Sequence, residues 1–149
     1  MRPNGAPSTF TILIDDREKL PYEYDNFESK RLVYGDYSIA NCPVAIERKT
    51  LDDFTSSISG KRRARFESNI KKAKEDLEYY AIVIEANYED LDDPKNWYNQ
   101  ISPACVKGTA LKWSLKYGVP IYFVGNREKG KEVVYQLLEG AKIYFLPTF

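Results

Sequence analysis

Residues 34–53 read YGDYSIANCPVAIERKTLDD, and the way this stretch pairs with itself decides the fold around it. Gly35-Asp36 and Asn41-Cys42-Pro43 carry turn chemistry, and a short apolar run follows each. Pro43 can open a strand without breaking a ladder. Side chains alternate along a strand, so Ala45, Glu47 and Lys49 share one side, and Val44, Ile46 and Arg48 the other. A hairpin closed by a two-residue loop at Asn41-Cys42 sets Ala40 against Pro43 and Asp36 against Glu47. Cross-strand neighbours of this kind have Cβ atoms roughly 4.5–5.5 Å apart. A three-residue loop sets Asp36 against Arg48 instead, with the two carboxylates on opposite sides unless a bulge corrects it.

Asp36, Glu47 and Lys49 on one face admit two readings. The first is a solvated charged strand, which the spacing alone favours, because an acid followed by Glu-x-Lys arises by chance in many chains. The second is a metal site. Mg²⁺ takes oxygen ligands, typically one or two carboxylates with waters and phosphate oxygens. It would polarise a phosphodiester and lower the pKa of a bound water, with Lys49 orienting that water or stabilising charge on phosphorus. "IDDRE" at Ile14–Glu18 weighs toward the second reading. It places three acids and Arg17 where a buried strand ends, and strand ends are where α/β sheets build sites.

Composition narrows the chemistry further. The chain has 149 residues, enough for one domain with a real core, and no histidine at all. Ser-His-Asp triads, Cys-His pairs and histidine zinc sites are thereby excluded. Hydrolysis must rest on carboxylates, lysine and a hard cation. Lys plus Arg equals Asp plus Glu, 22 each, so the net charge is zero. The charges are nevertheless segregated: GKRRARFESNIKKAK (60–74) is basic and YEDLDD (88–93) acidic. No apolar run approaches a membrane span and no signal peptide stands out, which makes a cytoplasmic location the expectation. Cys42 and Cys105 have no zinc-ligand spacing and read as small, half-buried residues.

Along the chain, residues 1–8 read as a flexible tail and 9–149 as a single domain. Phe10–Asp15 is a buried strand, SKRLVYGDYSIA and PVAIERK give two or three more, and Ala81–Ala86 and PIYFVG follow as strands. Thr50 caps a helix that stops near Gly60, with Asp52 and Asp53 in its first turn. Phe66, Ile70, Ala73 and Leu77 mark a second helix. Ser102-Pro103 opens a third, which Gly118 and Pro120 end, and Lys129–Leu138 is the last. The apolar end AKIYFLPTF is either a last core strand or an exposed pairing surface. The expected fold is α/β, a central mixed β-sheet flanked by α-helices.

Three motifs in order carry a resemblance. Asp15, Arg17 and Glu18 (DxRE), then Gly35–Tyr37 (GDY), then Glu47–Lys49 with Asp53 (ERKxxxD) resemble those of the XPF-type nuclease domain. That domain is a branch of the PD-(D/E)XK, restriction-endonuclease-like superfamily. The segment SSISGKRRARFESNI resembles the Ser-x-x-x-Gly-Arg segment of the family, and AIVIEA and SPACVKGTALKWSLKYGVPIYF extend the likeness more weakly.

The resemblance implies a restriction-endonuclease-like core in which Asp36, Glu47 and Lys49 are catalytic, with Glu18 and Arg48 assisting. Asp36, Glu47, Asp15 and Glu18 are the implied metal ligands, for Mg²⁺ with Mn²⁺ able to substitute. Arg17 is implied as a support residue toward carboxylate or DNA phosphate. Arg62, Arg63 and Arg65 are candidates for phosphate contact or for a solvated basic face. Asp53 is read as a helix N-terminal acid. The implied activity is a divalent-metal-dependent DNA endonuclease on branched or flap DNA, in repair or recombination. The family's tandem helix-hairpin-helix module has no room in 149 residues, so a free-standing domain is expected. Its grip on DNA would then need a homodimer or a DNA-binding partner. The alternatives are a non-catalytic binding or dimerisation module and a restriction-type enzyme. Retention of all the catalytic residue types favours activity.

Overall fold

The computed structural model describes residues 10–145. The tail expected over residues 1–8 lies outside them, as does the apolar end beyond Phe145. Six strands form one mixed sheet: β1 (Ile12–Asp15), β2 (Phe27–Lys30), β3 (Tyr37–Ile39), β4 (Val44–Lys49), β5 (Tyr79–Ile84) and β6 (Ile121–Phe123). Their order is β2-β1-β3-β4-β5-β6. β3 runs antiparallel to both β1 and β4, while β4, β5 and β6 are parallel, as are β1 and β2. The expected α/β architecture is the one observed.

Alternation along the central strands divides the core. Val44, Ile46, Ala81 and Val83 point to the face covered by helix α4 (Arg127–Phe145), where they meet Val134, Tyr135 and Leu138. Ala45, Tyr80, Ile82 and Ile84 point to the other face, under α1 (Leu51–Ser57), α2 (Arg62–Asp76) and α3 (Pro103–Tyr117). Residues buried on both faces explain why β1 and β5 read as continuous apolar runs. Each fully buried Ile or Leu contributes about 1.5–3 kcal/mol over leaving it exposed.

The helix ends follow the sequence chemistry. Thr50 accepts the Asp53 N–H, and Asp52 and Asp53 sit in the first turn of α1. Ser102 caps α3 with Pro103 at its start, and Gly118 ends it in the left-handed region at φ 62°. Three segments depart from expectation. Residues 31–36 are loop rather than strand, because the Leu32 N–H turns to the Asp15 carboxylate instead of a neighbouring strand. α1 ends at Ser57, short of Gly60. α4 runs on to Phe145 instead of stopping at Leu138, since Ala141 continues its buried face, so residues 141–145 are helix and not a last strand. Two short 3₁₀ turns, Tyr88–Asp92 and Pro94–Asn96, lie between β5 and α3, the first opened by an Asn87–Asp90 capping box and the second by Asp93 before Pro94.

Candidate active site

The hairpin adopts the register of the two-residue loop: Tyr37 faces Ile46, which turns Asp36 to the side of Glu47. Asn41 makes this possible by taking φ 60°, a conformation Asn tolerates better than most residues. Tyr37 and Ile39 point toward α4, so Asp36 falls on the opposite face with Ala45 and Glu47.

Backbone hydrogen bonds then pin Asp36 between β1 and β4. Its N–H donates to the Ile46 carbonyl (2.8 Å), and its carbonyl accepts the Asp15 N–H (2.8 Å). The Arg48 N–H donates to Asp36 Oδ2 at 2.7 Å. Burial, reinforced by the Glu47 carboxylate beside it, pushes the Asp36 carboxyl up to about 8, despite the Arg48 N–H. Two carboxylates forced together in this way are what a divalent cation would relieve.

Glu47 is framed from β5 and by its own strand. The Tyr80 hydroxyl donates to Glu47 Oε1 at 3.2 Å, and Lys49 Nζ lies 4.0 Å from Oε2. The ammonium of Lys49 also sits 4.9 Å from the ring centroid of Phe66 on α2. Glu47, Lys49, Tyr80 and Phe66, joined by Arg62 and Arg65, border a cavity of ≈ 210 Å³. α2 brings its arginines here with no side-chain cap and no acid in its first turn, so no carboxylate of its own offsets their charge or the positive end of the helix dipole.

A second cluster lies on the α4 face of the same strand. Arg48 forms a two-pronged pair with Glu85 (2.8 and 3.1 Å), and its guanidinium is 3.5 Å from Glu18. It lies 5.4 Å above the ring of Tyr22, whose hydroxyl donates to Glu85. Burial works against charge on Glu85, yet the bonds from Arg48 and Tyr22 hold its carboxyl below the ordinary range. Glu18 behaves oppositely: burial and the nearby Asp36 charge raise it more than Arg48 lowers it.

The expected site residues therefore separate. Asp36, Glu47 and Lys49 converge; Glu18 borders them through Arg48; Arg62 and Arg65 flank the cavity. Asp15 is turned to Arg17 and to the loop at Leu32. It is 5% exposed and accepts from Arg17 Nε (2.9 Å), Arg17 Nη2 (3.1 Å) and the Leu32 N–H (2.9 Å), so its oxygens are already committed. Arg17 is correspondingly held to Asp15 and the Leu32 carbonyl. Arg63 turns away from the cavity. It donates to the Ile58 carbonyl and Thr109 Oγ1 and packs 4.9 Å from the Trp113 ring centroid, so it ties α2 to α3. Glu85, Tyr22 and Tyr80 were missed in sequence. The signal for Glu85 was there, as the first acid after a buried strand and in step with Arg48.

Among the described residues no three His, Cys, Asp or Glu side chains form a ready-made metal cage. Two neighbouring carboxylates, of which Glu47 lines the cavity, suit Mg²⁺, which commonly takes one or two protein carboxylates and fills its shell with water and phosphate oxygens. Asp36 and Glu47 therefore fit the ion.

The mixed six-stranded sheet with helices on both faces, carrying Asp36 and the Glu47–Lys49 pair on its central hairpin, is the architecture that the three ordered motifs led us to expect. The chain belongs to the ERCC4 domain family, whose model matches residues 14–137. Over 136 residues it is 31% identical to a protein of Methanocaldococcus jannaschii that carries the name of an ATP-dependent RNA helicase, MJ1505. The match covers 89% of this chain and 16% of that protein. The fold is similar to XPF from Aeropyrum pernix, with a TM-score of 0.69 at 17% identity over 90% of this chain and 66% of that one. For the same protein in complex with DNA the TM-score is 0.67 at 19% identity, over 93% and 68% of the two chains. No helix among the described residues is long and apolar enough to cross a membrane.

Proposed function

We propose that the chain is a divalent-metal-dependent DNA endonuclease that hydrolyses phosphodiesters in branched or flap DNA. The observation that carries this reading is the convergence of the half-buried Asp36 carboxyl, raised by burial and then by Glu47 beside it, with Glu47 and with Lys49 Nζ 4.0 Å from Glu47. Asp36 and Glu47 would hold Mg²⁺ or Mn²⁺. The ion, when bound, supplies the positive charge that lets an anionic phosphodiester approach two carboxylates and polarises its P–O bonds.

This chain's own groups do the rest. Lys49 donates to the phosphate oxygens as negative charge grows on them. The Phe66 ring keeps that ammonium over the cavity. Arg48, fixed by Glu85, holds Asp36 through its backbone N–H and keeps Glu18 at the rim. Arg62 and Arg65 take the flanking phosphates, and fix register without reading bases. Because the chain carries no net charge, a second copy or a DNA-binding partner is proposed to supply the remaining affinity.

The test is a panel of labelled flap, fork, nicked and linear duplexes with Mg²⁺ or Mn²⁺. Cleavage at branched substrates, abolished by EDTA, is expected. If every substrate stays intact while DNA is still bound, the chain is a binding module.

A further inference from the structure

Tyr80 is a buried phenol at the edge of the cavity. It lies on β5 directly opposite Ala45, and alternation places it on the same face as Glu47. Its side chain is 3% exposed, among Ala45, Ile82, Phe66 and other apolar residues. Its hydroxyl makes one hydrogen bond among the described residues, donated to Glu47 Oε1 at 3.2 Å.

The plain reading is that a buried hydroxyl needs a partner and Glu47 is the nearest. Two observations go further. Phenylalanine would fill the ring's volume among these apolar neighbours without the cost of burying a hydroxyl, and of the polar residues that share its cavity only Glu47 takes a hydrogen bond from it. Glu47, for its part, has one further partner, the adjacent Asp36 carboxyl, which donates to it only while protonated and cannot do so once both carboxylates are ionised. The Arg48 N–H goes to Asp36, and Lys49 Nζ at 4.0 Å is too far for a hydrogen bond. A donor on Oε1 is what stops this carboxylate from rotating about its last torsion, which is otherwise broad. It leaves Oε2, the oxygen nearer Lys49, uncommitted.

We infer that Tyr80 is a positioning residue for Glu47: its hydroxyl fixes the carboxylate so that Oε2 is presented to the divalent cation. The inference rests on the reading of Asp36 and Glu47 as the metal pair. Hydrogen-bond partners behind a metal ligand typically change affinity 10–100-fold when removed.

The experiment is calorimetric titration of Mn²⁺ into the full chain without DNA, with melting measured in EDTA. Tyr80→Phe should melt within a few degrees of the wild type and bind Mn²⁺ about tenfold more weakly. Replacing Tyr80 with 4-aminophenylalanine restores a donor in the same place and should recover most of that loss. Tyr79→Phe makes the same change one residue earlier, where the hydroxyl meets Tyr122 instead, and should leave affinity unaltered. Equal Mn²⁺ affinity for the wild type and Tyr80→Phe overturns the inference, as does equal affinity for Tyr80→Phe and the 4-aminophenylalanine form. If Asp36→Ala binds Mn²⁺ like the wild type, or the wild type does not bind it, the metal pair itself fails and the inference falls with it.

Discussion

Gly35 lies so close to Ile46 that a Cβ on it would come within 2.9 Å of the Ile46 carbonyl oxygen. Its φ of 69° is also one that side chains rarely adopt. This contact brings the chain onto β4 one residue before Asp36. Gly35→Ala should therefore cost roughly 1–3 kcal/mol in backbone strain alone. It should also weaken Mn²⁺ binding, because Asp36 is displaced with it. Urea denaturation and metal titration of the same variant measure both.

Asp36 makes a pH prediction. Its folded-state carboxyl is raised to about 8 by burial and by Glu47, against 3.8 for the ordinary group. Between those values the native state binds the extra proton, so stability falls as pH rises through this window. The contribution is fully present below about 4 and lost above about 8. Metal-free protein should thus be less stable to urea at pH 8 than at pH 5, and saturating Mg²⁺ should recover most of the difference at pH 8.

Arg48 and Glu85 form a nearly enclosed pair that anchors the strand carrying Glu47. Glu85→Ala leaves the guanidinium with the longer contact to Glu18 and the face of the Tyr22 ring. Breaking such a pair from one side costs about 3–5 kcal/mol. Thermal unfolding of Glu85→Ala and Glu85→Gln should show the larger loss for alanine.

Gly130 lets α4 close over the same cluster, since a Cβ there would collide with the Tyr22 hydroxyl. Gly130→Ala gains helix propensity of about 1 kcal/mol, yet it should destabilise the protein. The hydroxyl must move off Glu85 for the methyl group to fit. A higher melting temperature would contradict that packing.

Phe66 separates two functions of the site. The ring supports Lys49 without touching either carboxylate's hydrogen bonds. A cation–π contact of this kind is worth about 0.5–2 kcal/mol. Phe66→Leu should lower the cleavage rate several-fold while Mn²⁺ affinity stays near the wild-type value.

Much of this was legible in the sequence because period-two alternation and turn chemistry are local. Asn41-Cys42 set the hairpin register, and that register alone carried Asp36 to Glu47. Thr50, Ser102 and Gly118 marked helix ends for the same reason. What the sequence hid was how each charge is partnered across the fold. Asp15 and Arg17 looked like site residues, yet they satisfy each other and the loop at Leu32. Arg63 is indistinguishable from Arg62 and Arg65 in composition, but its place on the helix turns it to Thr109 and Trp113. Tyr80 reads as one more core aromatic until its hydroxyl is seen against Glu47.

The central claim is that Asp36 and Glu47 together hold the ion on which cleavage depends. Its most direct measurement is the Mg²⁺ dependence of flap and fork cleavage by the wild type and Asp36→Ala, with matched melting curves in EDTA. The account predicts that Asp36→Ala folds, melts no lower than the wild type at pH 8, and cuts nothing at any Mg²⁺ concentration. Wild-type cleavage by Asp36→Ala with an unchanged Mg²⁺ midpoint would contradict it.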